Sequence, residues 1–321
     1  MSAEPNGQST MVTRAQEYLM HRQSLGFRLE TATFVLLDFA RFADRVRHRG
    51  PLTTQLILRW ATRCAKHSPR YHAARLSIVR GFARYLAVRD GQSQVPQQRL
   101  LASGYHRKQP HIYTENQLRQ LVKSATDLDP IYPLRPHTVA TLLGLLASTG
   151  LRVSEAIRLQ RADVDLAAGI LHVRETKFRK SRLVPMHPSV TRSMRNYADL
   201  RDRDPGSNSG SRFFVARDGR PIPYVTFNRI FRRLCQRLGW RSNGALPRPR
   251  IQDLRHSFAC RRLLRWYREG VDVDHAIASL STYLGHAKVT DTYWYLTGTG
   301  ELLSIAGARF EQFALSPRRS S

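Results

Sequence analysis

A chain of 321 residues, 41% of them hydrophobic, can bury two cores at roughly 100–200 residues per domain. Its 52 Lys and Arg against 24 Asp and Glu give a formal net charge of +28, spread along the whole length. That field attracts a polyanion, nucleic acid before a membrane surface, while three scattered cysteines with no CxxC pair exclude a disulfide framework and a zinc ribbon.

Cys64, Cys235 and Cys260 read as buried thiols in a reducing compartment, and together with the basic charge this predicts a cytoplasmic protein associated with the nucleoid. The opening MSAEPNGQST lacks the apolar core of a signal peptide. The longest mostly apolar run, 139–151, is too short for a bilayer and reads as a core helix.

Residues 1–10 read as a flexible tail. Four helical patterns follow over 11–103. The first covers 12–24 and ends at Gly26. The second, TATFVLLDFARFADRVR, repeats Phe34, Leu37, Phe39 and Phe42 at near-helical spacing. The third opens at Thr53 or Thr54 and covers LILRWATRCAK. The fourth follows Ser68-Pro69, a cap and first-turn pair, with Ala74, Ile78, Phe82 and Tyr85 on one side and Arg70, Arg75, Arg80 and Arg84 elsewhere. This small basic helical domain is expected to contact DNA, with Arg70 and Arg75 as candidates. A Gly-, Ser-, Gln- and Pro-bearing linker over 90–110 puts the boundary near Ser103 and would let two domains close round a duplex.

The second domain, 104–321, begins with a helix capped by Thr114. A core helix over 137–148 leads through Thr149-Gly150 into a helix carrying Arg152, Glu155 and Leu159. GILHVRETKFRKSRLVPM reads as two strands around a basic turn, and SRFFVARDG as a third strand. Helices are expected over 226–238 and 252–267 and after Glu301. The fold class is therefore mostly α with a small sheet: a helical bundle, then a mixed α/β domain.

Three stretches hold the chemistry: LASTGLRVSEAIRL around Arg152, IQDLRHSFA around Arg255, and STYLGHAKVTDTYWYL with His286 and Tyr295. A phenol with a free pKa of ~10 is a weak nucleophile at pH 7 unless a base or a positive field assists it. Two arginines can clamp the non-bridging oxygens of a phosphodiester under attack. A lysine can protonate the departing 5′ oxygen, and the basic turn offers Lys177, with Lys180 and Arg182 competing for that part or contacting DNA. No metal or other cofactor is required. Glu155 reads as a buttress for an arginine, and Asp163 and Asp165 as turn and cap residues.

In order and in motif, Arg152 in TGLRVSE, Lys177 in the hairpin, Arg255 in DLRHSFA, His286 in LGH and Tyr295 resemble the tyrosine recombinases, or phage integrase family. The resemblance runs from about residue 113 to the end and extends more loosely to the N-terminal half, which looks like the family's core-binding domain. It implies that Arg152 and Arg255 bind the scissile phosphate, that Lys177 is the general acid and that His286 hydrogen-bonds the phosphate. Tyr295, rather than Tyr283 or Tyr293, has the family's spacing from His286 and would form a 3′-phosphotyrosyl bond. It further implies a homotetramer on two sites of double-stranded DNA and a C-terminal segment docked on a neighbouring subunit. Partner recombinases or DNA-bending proteins would join in the integration, excision or resolution of a mobile element. The chain departs from the family at Gln252, where a His is usual three places before the second arginine. Glutamine cannot take up a proton near pH 7, so tyrosine activation is weaker or comes from elsewhere. His256 is expected to pack about a quarter-turn from Arg255. The rival readings are a type IB topoisomerase and a DNA-binding accessory protein that has lost the chemistry.

Overall fold

The computed structural model describes residues 10–27, 29–101, 109–174, 181–204, 210–217, 219–240, 248–297 and 300–315. Contacts divide the chain into two units, Met1–Arg107 and Lys108–Ser321.

The first unit is a bundle of α1 (Met11–Ser24), α2 (Glu30–Arg45), α3 (Thr54–Thr62) and α4 (Pro69–Asp90). The side chains of Thr10, Thr53 and Ser68 each accept a first-turn backbone N–H, which is why the helices start where they do. Leu36, Phe39, Ile57, Trp60, Val79 and Phe82 fill the core. The third helix ends at Thr62, short of the expected run, and a turn closed by His67 N–H on Cys64 O follows. Cys64 is only partly buried, unlike Cys235 and Cys260, whose thiols burial pushes up to about 12.

Asp38 ties three elements of this bundle together. It accepts from Trp60 Nε1 at 3.1 Å and pairs with Arg63 at 2.8 Å and Arg75 at 3.0 Å. Burial pushes its carboxyl up, but these hydrogen bonds and charges hold it below the usual carboxylate value. Arg75 is only 6% exposed, and its guanidinium lies 3.9 Å above the Trp60 ring. The sequence suggests Arg75 as a DNA contact; in the structure this side chain is spent on the core. Arg70 lies exposed in the first turn of α4.

The second unit begins with α5 (Glu115–Thr126), opened by a Thr114–Gln117 capping box. Then comes α6 (Arg135–Thr149), buried almost all round, and α7 (Val153–Arg158). An antiparallel sheet follows in the order β1 (Val164–Asp165), β2 (Ile170–Val173), β3 (Arg182–Pro185), with Val164 opposite Leu171 and Leu171 opposite Val184. The remaining helices are α8 (Pro188–Arg203), α9 (Tyr224–Arg237), α10 (Asp253–Arg268), α11 (Val273–Leu284) and α12 (Thr290–Tyr293). A 3-10 turn over Trp294–Thr297 leads to α13 (Gly300–Leu315).

The third strand is thus the two-residue β1, too short to show an alternation, and not SRFFVARDG. Phe213 and Phe214 are buried against Tyr197, with ring centroids 5.8 and 5.2 Å away. Their segment bonds outside the sheet: Phe213 N–H donates to Leu159 O, and lone bridges join Gln160 to Arg212 and Val215 to Pro221. Asp163 and Asp165 accept local backbone N–H groups, as turn residues do. The C-terminal α13 packs on α10 and the 3-10 turn of its own chain, with Leu302 buried and Glu301 paired to Arg268. Among the described residues no helix is long and apolar enough to cross a membrane.

Candidate active site

The C-terminus of α11 organises the site. A helix end leaves its last carbonyls without intrahelical partners and carries partial negative charge. Here three successive carbonyls each receive a different arginine. Arg182 Nε donates to Tyr283 O at 2.8 Å, Arg255 Nη2 to Leu284 O at 2.8 Å, and Arg152 Nη2 to Gly285 O at 2.9 Å. Arg255 Nη1 also donates to Gly150 O at 2.9 Å. Both glycines sit in the left-handed region, at φ +63° and +70°. A Cβ at Gly150 would meet Phe258 at 2.5 Å, and one at Gly285 would meet the Arg182 guanidinium at 2.8 Å. Glycine at 285 lets Arg182 close on the backbone, and glycine at 150 lets Phe258 and Leu284 pack against the turn whose carbonyl Arg255 holds.

One carboxylate serves two of the three cations. Glu155 pairs with Arg152 at 2.7 Å and with Arg182 at 2.8 Å, and also accepts the Arg152 backbone N–H at 3.0 Å. Burial pushes its carboxyl up, but Arg182 and Arg152 hold it below the ordinary value, so it stays ionised. Arg152 therefore stands at the N-cap of α7 rather than inside the helix, and its side chain is a third exposed. Arg255 is buried; burial lowers its pKa, Tyr295 and Glu155 oppose this, and Arg152 adds to it. Three guanidiniums against one carboxylate leave this cluster positive and suited to an anion.

Tyr295 lies against that cluster, 4% exposed, and interacts with the Arg255 guanidinium. Its ring is flanked by two imidazoles. His286 stacks at 5.9 Å and 23°, and His256 stands edge-on at 5.3 Å and 61°. His286 Nδ1 lies 2.7 Å from Thr292 Oγ1. Burial first, then the charges of Arg255, Arg152 and Arg182, lower its pKa to about 4 against the pull of Asp291, so the ring is neutral at pH 7. A groove between α5, α6 and α8, lined by Val122, Ala140, Val190 and Met194, shares no residue with this site.

The Phage integrase family model matches residues 112–300. The chain belongs to this family. Integrases of this kind are tyrosine recombinases, enzymes that cleave and rejoin DNA. A putative integrase/recombinase, y4rB, of Sinorhizobium fredii is 39% identical, over 95% of this chain and 98% of its own length. Tyrosine recombinase XerC of Chlorobaculum parvum is 30% identical over 71% of this chain and 68% of its own. The fold is shared with the Tn1549 transposon integrase solved with transposon right end DNA, at TM-score 0.66 and 18% identity over 95% of this chain and all of that one.

Of the family's expected residues, Arg152, Arg255, His286 and Tyr295 come together. Lys177 and Lys180 fall at 175–180, outside the described residues. The strands on either side are anchored, β2 through the Arg174–Asp163 pair at 2.5 Å and β3 through Arg182. Arg182, taken from the sequence as a DNA contact, is instead 10% exposed at its side chain and holds Glu155 and α11 in place. Gln252 is exposed at the N-cap of α10, beside a recess lined by Tyr224, Arg232, Arg248 and Arg250. His256 does pack, but against Tyr295 itself. Thr292 escaped the sequence reading: a buried threonine one turn before the tyrosine has no charge to draw notice.

Proposed function

We propose that this integrase-family chain is a site-specific recombinase that breaks and rejoins double-stranded DNA through a 3′-phosphotyrosyl bond on Tyr295. The observation that carries this is the cluster of Arg152, Arg182 and Arg255 on the end of α11, with Tyr295 against Arg255. A scissile phosphate held by Arg152 and Arg255 would lie beside the tyrosine oxygen, and the paired guanidiniums would meet the negative charge that grows on the non-bridging oxygens. His286, neutral at pH 7, donates one further hydrogen bond there.

In the cleavage step the Tyr295 oxygen bonds to phosphorus and the bond from phosphorus to the 5′ oxygen breaks. That oxygen leaves with a proton from Lys177, and the phenol proton passes to water. The reverse step, with a 5′ hydroxyl from the other duplex, rejoins the strand. Because the phosphotyrosine retains the bond, neither step calls for ATP. Four subunits on two sites would exchange strands in pairs, as suits a mobile element that integrates, excises or resolves, with partner recombinases or bending proteins where the sites require them. The transposon integrase of like fold and the integrase relatives support that setting.

The test is a covalent trap. A duplex from the boundary of the DNA segment carrying this gene, nicked beside the cut so that a short fragment diffuses away, is incubated with protein in EDTA. A denaturing gel should show a protein–DNA band for the wild type and none for Tyr295→Phe, with equal binding by both. A band that persists in Tyr295→Phe would refute the assignment.

A further inference from the structure

The contact between Thr292 and His286 has a chemical consequence. Thr292 is fully buried, and its hydroxyl hydrogen needs an acceptor. Among the described residues the hydrogen-bond partner of Oγ1 is His286 Nδ1, at 2.7 Å. Were Nδ1 to carry the hydrogen and donate, the buried hydroxyl hydrogen would have no acceptor among the described residues. The hydroxyl therefore donates, Nδ1 accepts, and the ring hydrogen resides on Nε2. We propose that Thr292 is a positioning residue that fixes His286 as the Nε2–H tautomer, so that the imidazole offers a donor and not a lone pair to the scissile phosphate.

The alternative tautomer would turn a lone pair toward an oxyanion, which repels it. A ring held neutral by burial and by Arg255, Arg152 and Arg182 has no second N–H to spare, so its tautomer decides whether it helps or opposes catalysis. Thr292 also precedes Tyr295 by one turn, within the continuous α12 and 3-10 segment. Seating of the nucleophile and orientation of the phosphate donor are thereby one event.

The role of His286 at the phosphate rests on the proposed function, whereas the tautomer can be read in the free protein. The first readout is the nitrogen NMR spectrum of the full chain labelled at histidine, with His286→Gln to assign the signal. The wild type should show hydrogen on Nε2 and a bare Nδ1. Thr292→Ser should keep this pattern, and the isosteric Thr292→Val should give a mixture. Hydrogen on Nδ1 in the wild type, or one unchanged tautomer in Thr292→Val, would overturn the assignment whether or not any DNA is cut.

The second readout is the rate of covalent trapping. Thr292→Val should trap about tenfold more slowly, the scale of one hydrogen bond, at unchanged DNA affinity. Thr292→Ser should recover most of the rate. In the His286→Gln background, Thr292→Val should cost nothing more. A full additional loss there would mean that Thr292 acts on folding or on Tyr295 alone. Failure of the wild type to trap at all would count against the proposed function and leave the tautomer result standing.

Discussion

At the residue scale the site depends on charges held out of water, and pH reports on them. His286 is held down to about 4 from an ordinary 6.5. Between those values the unfolded chain binds a proton that the folded chain refuses, so stability falls as pH drops through that window and is level above it. Glu155 adds to the loss at lower pH: its carboxyl is depressed in the fold, so its contribution is full above the unfolded value and disappears as pH falls through the folded one. Thermal melts of His286→Gln should show a flatter slope between pH 6.5 and 4 than the wild type, and an unchanged slope would contradict this assignment. Glu155→Gln strips the counter-charge from Arg152 and Arg182 and should cost roughly 3 kcal/mol in urea unfolding, as broken buried pairs do. The arginines and the tyrosine were legible in sequence because their motifs carry charge and spacing. Arg75 and Arg182 misled because an arginine written on a basic chain looks exposed, and only packing against Trp60 or Glu155 makes it internal.

At the scale of elements, the site exists because two helix ends meet. The α6 and α11 helices both stop at a glycine in the left-handed region, and each hands a terminal carbonyl to an arginine. Gly150→Ala should therefore combine a left-handed cost of about 1–2 kcal/mol with a clash on Phe258, for a loss of roughly 2–4 kcal/mol. Gly91, at φ +64° with nothing within 4 Å of an added Cβ, is the control and should lose only the first part. Equal losses in urea midpoints would remove the clash from the explanation. In the first unit the Thr53 and Ser68 caps and the apolar spacing of α2 made the helices legible, although α3 ends at Thr62, before the run the sequence suggests. The α8 and α11 helices were not read from the sequence. The α8 helix is strongly polar with few apolar positions to mark its buried face, and α11 runs straight into the LGH box, where motif chemistry draws the eye from periodicity.

At the scale of the molecule the net charge of +28 sets the terms of any encounter with DNA. Binding should fall by orders of magnitude between ~0.05 and 0.2 M salt as counterions are released. A flat titration would contradict a phosphate-based interface. Arg70→Ala should lower the salt slope by about one, whereas Arg75→Ala should lower stability first and leave the salt slope nearly unchanged. The α13 helix packs on α10 in the single chain, and the resemblance to recombinases leaves docking in cis or in trans equally open to it. Its amphipathic pattern marks a docking helix but carries no sign of which copy receives it.

The central claim is that Tyr295, and no neighbouring tyrosine, takes the 3′ phosphate. The decisive measurement is the mass of the DNA-bearing peptide after protease and nuclease digestion of the trapped complex, together with the chemistry of the released strand end. The expected result is nucleotide on Tyr295 and a free 5′ hydroxyl on the released strand. Nucleotide on Tyr293 or Tyr283, or a 5′-linked adduct, would contradict it.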